Sequence, residues 1–109
     1  MISICIPLYN FDAIGLIAEL QQQINRCEFS CELILIDDYS SEEYRQVYRS
    51  ISGTHQYIEL PENVGRSKIR NLFLEYSNQP YLLFLDCDSI IQNPDFLKVY
   101  KENKNPDKS

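Results

Sequence analysis

No stretch of this 109-residue chain approaches the roughly 20 consecutive apolar residues that cross a bilayer, so no membrane-spanning segment is expected. A signal peptide is not expected either. Residues 2–9 are apolar, but no basic start precedes them and Pro7 interrupts them early. Positive charge is in short supply: 10 Lys plus Arg stand against 16 Asp plus Glu, a formal net charge of −6. No basic patch offsets that balance, which argues against nucleic-acid binding. An anionic ligand such as a phosphate would therefore need a metal ion or well-placed backbone amides. His55 is the only histidine; it lies in the polar run Ser52-Gly53-Thr54-His55, and no role is assigned to it. Neither Gly-x-Gly-x-x-Gly nor Gly-x-x-x-x-Gly-Lys-Ser/Thr occurs, which removes the common dinucleotide-binding and P-loop readings. The four cysteines form no metal-binding pattern. Cys27 and Cys31 are four apart, with no second pair or histidine partner, and Cys5 and Cys87 lie in or beside apolar runs. Free thiols in a reducing cytoplasm are the expectation.

What is present is an ordinary globular composition, 44% apolar and 24% charged. That is too apolar for a disordered tail, and the length suits one domain. Four apolar runs read as strands, at residues 2–6, 32–36, 56–60 and 81–85. They are nearly continuous rather than alternating, as in strands covered on both faces. Helical patterns separate them. Asp12 can cap a first helix that turns Ile14, Ile17, Ala18, Leu20 and Ile24 inward. Ser41 opens a second, with Glu42 and Glu43 in its first turn and Tyr44, Val47, Tyr48 and Ile51 on one face. A third starts near residues 65–67, carries Ile69, Leu72, Phe73 and Tyr76, and ends before Pro80. The order β-α-β-α-β-α-β predicts a Rossmann-like three-layer α/β/α fold with a mostly parallel sheet. No internal repeat appears, and the polar run 101–109 (KENKNPDKS) reads as a tail.

In open parallel sheets, ligands bind beyond the carboxyl ends of the strands. All four such ends here carry polar or conformationally special residues: Pro7-Leu8-Tyr9-Asn10, Asp37-Asp38-Tyr39-Ser40, Pro61-Glu62-Asn63-Val64-Gly65-Arg66 and Asp86-Cys87-Asp88. Asp86 and Asp88, two apart after a buried run, can face one side and are the hard oxygen ligands that Mg²⁺ and Mn²⁺ prefer. A turn with a capping Asp is the plainer alternative. Asp37 and Asp38 are adjacent and cannot both face one partner; one is expected in the cleft and the other as a cap or brace. A carboxylate in the cleft can accept a hydrogen bond from a nucleobase ring N–H. Tyr9 can stack on a base or stand as a wet rim tyrosine. Gly65 allows a close backbone approach. Arg66 and Arg70 share one face at the start of the third helix, suited to phosphate oxygens or to solvent.

Taken in order, the segments SICIPLYN, ELILIDDYSSE, LPENVGRSKIRN and YLLFLDCDSII followed by NPDFL resemble family 2 glycosyltransferases with the GT-A fold, over roughly residues 2–97. The resemblance implies the strand order 3-2-1-4, the first half of a GT-A fold, in residues 1–100. It implies that Pro7, Leu8 and Tyr9 line a nucleotide pocket and that Asp38 accepts from a uracil-type ring nitrogen. Gly65, Arg66 and Arg70 would meet the nucleotide, with Arg70 free to brace Asp86 instead. Asp86 and Asp88 would form an Asp-x-Asp motif, Asp88 the more direct ligand of Mn²⁺ or Mg²⁺ and Asp86 reaching ribose or metal. The implied partners are a nucleotide-diphosphate sugar, UDP-linked in this reading, and a saccharide or other hydroxyl acceptor. The family's catalytic base lies well beyond the Asp-x-Asp, and none of Asp95, Glu102 or Asp107 lies in a matching motif. The chain therefore reads as the donor-binding half of a cytoplasmic enzyme, which would meet the inner face of a membrane through downstream regions. With the family's further strands absent, the strand at residues 81–85, Tyr81 to Leu85, would be an exposed edge open to homodimerisation.

Three other readings compete. FLDCDS also resembles the first motif of haloacid-dehalogenase-type phosphatases, with Asp86 as nucleophile and Asp88 as acid, but that motif normally opens its domain. A receiver-type phosphoacceptor would need its acidic pair after the first strand. A nucleotide-binding module without turnover is the third.

Overall fold

The computed structural model describes residues 2–26, 30–51, 56–88 and 96–97. His55, Cys27, Asp95, Glu102, Asp107 and the 101–109 segment lie outside the described residues. Seven elements alternate as expected: β1 (Ile2–Leu8), α1 (Ile14–Arg26), β2 (Cys31–Asp37), α2 (Glu42–Arg49), β3 (Gln56–Glu59), α3 (Arg66–Tyr76) and β4 (Tyr81–Phe84). The strands form one parallel sheet in the order β3-β2-β1-β4. This is the order that the resemblance implies.

Strand alternation sorts the core into two layers. Ile2, Ile4, Ile6 and Leu8 of β1, with Leu33 and Leu35 of β2, pack against Leu16, Ile17 and Leu20 of α1 and Tyr48 of α2. Cys5, Ile34 and Ile36 face the opposite way, onto Ile69 and Phe73 of α3. Each such fully buried aliphatic or aromatic side chain contributes about 1.5–3 kcal/mol, which is why the central strands are almost wholly apolar.

Several local expectations shift. The first and second strands are longer than their apolar runs suggest, and Pro7 and Leu8 belong to β1 rather than to a loop, paired with Ile36 and Asp37. Pro7 is tolerated inside a central strand for a geometric reason. Even residues of β1 bond towards β2, as when Asp38 N–H donates to Leu8 C=O, while odd residues face β4, as when Leu85 N–H donates to Cys5 C=O. The missing N–H of Pro7 faces the β4 side, beyond the last β4 pair, Cys5 with Phe84. Ala18 is exposed, whereas Leu16 and Gln23 are buried. The inward stripe runs 13, 16/17, 20, 23, and Ala18 lies on its flank with half-buried Ile14. Val47 and Tyr76 are likewise exposed, and α2 turns Tyr48 inward instead. The Tyr48 hydroxyl donates to Phe11 C=O and accepts from Ala13 N–H at 2.9 Å, fastening the segment that leads into α1. Asp12 caps α1 through Ile14 N–H at 3.0 Å, but Ser41, the cap residue of α2, makes no side-chain cap bond.

At the amino end of the sheet, Glu32 gathers polar groups from β1, β3 and the loop after α3. It accepts from Ser3 Oγ at 2.8 Å, Gln56 Nε2 at 3.3 Å and Asn78 N–H at 2.8 Å. Ser3 Oγ also meets Ser77 Oγ at 2.6 Å. The edge of β4 away from β1 has no strand partner among the described residues. No helix among the described residues is long and apolar enough to cross a membrane. Cys5, Cys31 and Cys87 form no disulfide among the described residues, and burial pushes the Cys5 thiol up to about 12.

Candidate functional site

The carboxyl ends of the strands are tied to one another by hydrogen bonds that begin in side chains. After β1 the chain turns through Asn10, whose left-handed φ of 47° is easier for Asn than for most residues. Asn10 N–H donates to Ser40 Oγ at 2.9 Å, and Ser41 N–H returns to Asn10 Oδ1 at 2.8 Å. The β1 and β2 loops are thereby one unit.

Asp37 and Asp38 part company because successive strand residues face opposite layers. Asp37 points to the α2 side, fully buried, and accepts from Ser40 N–H at 2.9 Å and Arg45 Nε at 2.8 Å. Asp38 points to the α3 side. Its carboxylate accepts from Val64 N–H at 2.7 Å and Gly65 N–H at 3.1 Å, while Asn63 Nδ2 donates to its main-chain oxygen at 3.0 Å. Gly65, at φ 85° and ψ 168°, holds a backbone conformation open almost only to glycine, and this brings both amides onto Asp38 just before α3 starts.

Between these loops and the end of β4 lies a cleft of about 340 Å³. Pro7, Leu8, Tyr9 and Phe11 form one wall, Asp38, Asn63, Gly65, Arg66 and Ile69 another, and Asp86, Cys87 and Asp88 close it. Arg70 is the one sequence-predicted site residue outside it. It lines an adjoining pocket of about 170 Å³ that shares Pro7, Arg66, Ile69 and Asp86. Its guanidinium lies 4.7 Å above the Phe84 ring, and among the described residues no ion pair joins it to Asp86. Phe11, Asn63, Ile69 and Cys87 line the cleft without having been singled out. Asn63 stood inside the quoted LPENVGRSKIRN segment, so its position there was the available signal.

The electrostatics of the cleft are uneven. Asp38 is held by two amides, whereas Asp86 and Asp88 are exposed and make no hydrogen bond or ion pair to other described residues. Burial, followed by the nearby Asp88 charge, raises the Cys87 thiol above its ordinary value. No group of three or more His, Cys, Asp or Glu side chains among the described residues forms a metal cluster. Tyr9 stands at the rim, 53% exposed.

The sequence matches the profile described as Glycosyl transferase family 2 over residues 3–109. It is 33% identical over 99 residues to an uncharacterized glycosyltransferase of Haemophilus influenzae, covering 85% of this chain and 38% of that protein. It is 32% identical over 76 residues to the poly(ribitol-phosphate) β-N-acetylglucosaminyltransferase TarP of Staphylococcus aureus, covering 67% of this chain and 23% of TarP. Among solved structures, S. aureus TarS in complex with UDP-GlcNAc superposes with a TM-score of 0.75 at 27% identity, over 93% of this chain and 30% of that one. A Pyrobaculum calidifontis mannosyltransferase shares the fold, with a TM-score of 0.69 at 18% identity. The chain thus spans less than two fifths of the length of the curated relatives it matches. With four strand-end motifs gathered at one cleft and a family match across nearly its whole length, the chain belongs to glycosyltransferase family 2.

Proposed function

We propose that this chain supplies the donor-binding part of a metal-dependent glycosyltransferase, which moves a sugar from a nucleotide diphosphate, UDP in the favoured reading, to a saccharide or other hydroxyl acceptor. One observation carries the proposal: a single cleft at the strand ends joins an exposed aromatic ring, an anchored carboxylate and two exposed carboxylates without a partner among the described residues. Tyr9 offers a face to base or ribose above a floor of Pro7 and Leu8. Asp38 keeps lone pairs beyond its two amide bonds and can accept from a ring N–H. Gly65 lets the ligand approach the backbone, and Arg66 and Arg70 bring positive charge to the diphosphate side. The relation to TarS, which was solved with UDP-GlcNAc, supports the choice of UDP.

The donor set fits a divalent ion. Asp86 and Asp88 are hard oxygen ligands with open space in front of them, and Mg²⁺ or Mn²⁺ commonly takes only one or two protein carboxylates when phosphate oxygens complete the shell. Such an ion would neutralise the charge that grows on the departing diphosphate. In this reading Asp88 is the more direct ligand and Asp86 is shared between ribose and metal. It also answers how a chain of net charge −6 holds a polyanion.

A second reading, nucleotide binding without turnover, is favoured by one feature. In the reading above all three carboxylates that line the cleft, Asp38, Asp86 and Asp88, serve the donor, so the cleft lining among the described residues offers no further carboxylate to an acceptor hydroxyl. Calorimetry with UDP, with and without Mn²⁺, tests the shared core of both readings. Metal-dependent binding that disappears in Asp88→Ala is the expected result. A chain that binds no nucleotide under any condition refutes both, and turnover assays with UDP-sugars separate them.

A further inference from the structure

We propose that Arg45, on α2 and outside the cleft, is a positioning residue that sets the distance between Asp38 and the loop that grips it. The proposal rests on the nucleotide reading of the cleft. Arg45 is largely covered, 13% exposed along its side chain, and its guanidinium reaches four groups, one of them the Glu59 carboxylate 3.9 Å from Nη1. Nε donates to Asp37 Oδ2 at 2.8 Å, Nη2 donates to Leu60 C=O at 2.6 Å, and the plane lies 5.2 Å from the Tyr39 ring centre. Leu60 N–H in turn donates to Asp37 C=O at 2.9 Å. These bonds close a ring around the carboxyl ends of β2 and β3.

Both arms of the cleft wall grow from that ring. Asp38 follows Asp37 directly, and Asn63, Val64 and Gly65 follow Leu60 after Pro61 and Glu62. The two arms meet again where Val64 and Gly65 N–H donate to the Asp38 carboxylate. If the ring opens, the arms lose their common base and the carboxylate and its amides drift apart. Tyr39 gives a second, independent sign of constraint. Its φ of 67° is left-handed, a conformation that a bulky side chain adopts only where its surroundings impose it. Here the Ser40 N–H bond to Asp37 and the guanidinium against the ring impose it. A lysine could not replace this arrangement, because one ammonium lacks the planar fork that serves a carboxylate and a carbonyl together.

The plainer role for Arg45 is fold stability alone, and the test separates the two. Arg45→Met keeps the apolar stem but strands a buried carboxylate. The double variant Asp37→Asn/Arg45→Met removes that charge while leaving an oxygen for Ser40 N–H. Two readouts are taken on each folded protein well below its melting temperature. In native-state hydrogen exchange, the Val64 and Gly65 amides should exchange about tenfold faster while Ile4 and Ile34 are unchanged. UDP affinity by calorimetry should fall about tenfold, and Arg45→Lys should restore neither readout. Variants that melt lower yet leave loop exchange and UDP affinity as in the parent overturn the proposal and leave Arg45 a stabilising residue only. A parent chain that binds no UDP overturns the nucleotide reading and the positioning role with it; exchange at Val64 and Gly65 then reports whether the clamp itself holds the loop.

Discussion

Gly65→Ala and Gly15→Ala make the same chemical change and should have opposite effects. An added Cβ would meet nothing within 4 Å at either site, so neither variant suffers a clash. What differs is the backbone. Gly65 sits at φ 85° and ψ 168°, where an L-residue is strained by roughly 1–3 kcal/mol. Relieving that strain would swing its N–H away from Asp38, now 3.1 Å distant, and a bond to a charged acceptor is itself worth about 1.5–3 kcal/mol. The protein takes the cheaper course, so a loss of about 2 kcal/mol is expected. For a domain of this size that lowers the melting temperature by about 8–16 °C. Gly15 lies in the first turns of α1, where alanine restricts the unfolded chain and favours the helix, for a gain of about 0.5 kcal/mol. Urea denaturation followed by circular dichroism measures both. The reasoning fails if Gly65→Ala stays within about 0.5 kcal/mol of the parent, or if Gly15→Ala is equally harmful.

The remaining expectations are shorter. Tyr48→Phe leaves Phe11 C=O and Ala13 N–H without their shared hydroxyl and should cost about 1–3 kcal/mol in the same denaturation assay. The Cys5 thiol, raised from 9.0 to about 12 by burial, should resist iodoacetamide until the chain unfolds. Because the unfolded thiol releases its proton first, stability should decline as pH rises from 9.0 towards 12, and less steeply in Cys5→Ala. The side of β4 without a strand partner among the described residues is expected to join two copies edge to edge, visible as concentration-dependent mass in sedimentation equilibrium; a monomer at every concentration removes that expectation.

The fold was legible in the sequence because apolar runs and intervening helical stripes follow directly from burial on two faces. Boundaries were less so. Pro7 looked like a strand terminator, and only the bonding direction of β1 explains why it is not one. Ala18 and Val47 fitted a helical period yet lie outside, since the period fixes a stripe but not its width. The division of labour between Asp37 and Asp38 was foreseeable as a division, from strand alternation. Which acid goes where depends on α2 lying on one side of the sheet and α3 on the other. Arg45 left no signal at all, because its partners Asp37 and Leu60 come from separate strands and meet only once β2 and β3 are paired.

The two ends of the sheet use polarity in opposite ways. Around Glu32 the polar groups are consumed by one another, and a ligand arriving there would have to break existing bonds. At the other end Asp86 and Asp88 hold theirs outward, on loops that the strands do not need for pairing. The closed end is therefore scaffold, while the open end offers lone pairs to a ligand without first breaking a bond.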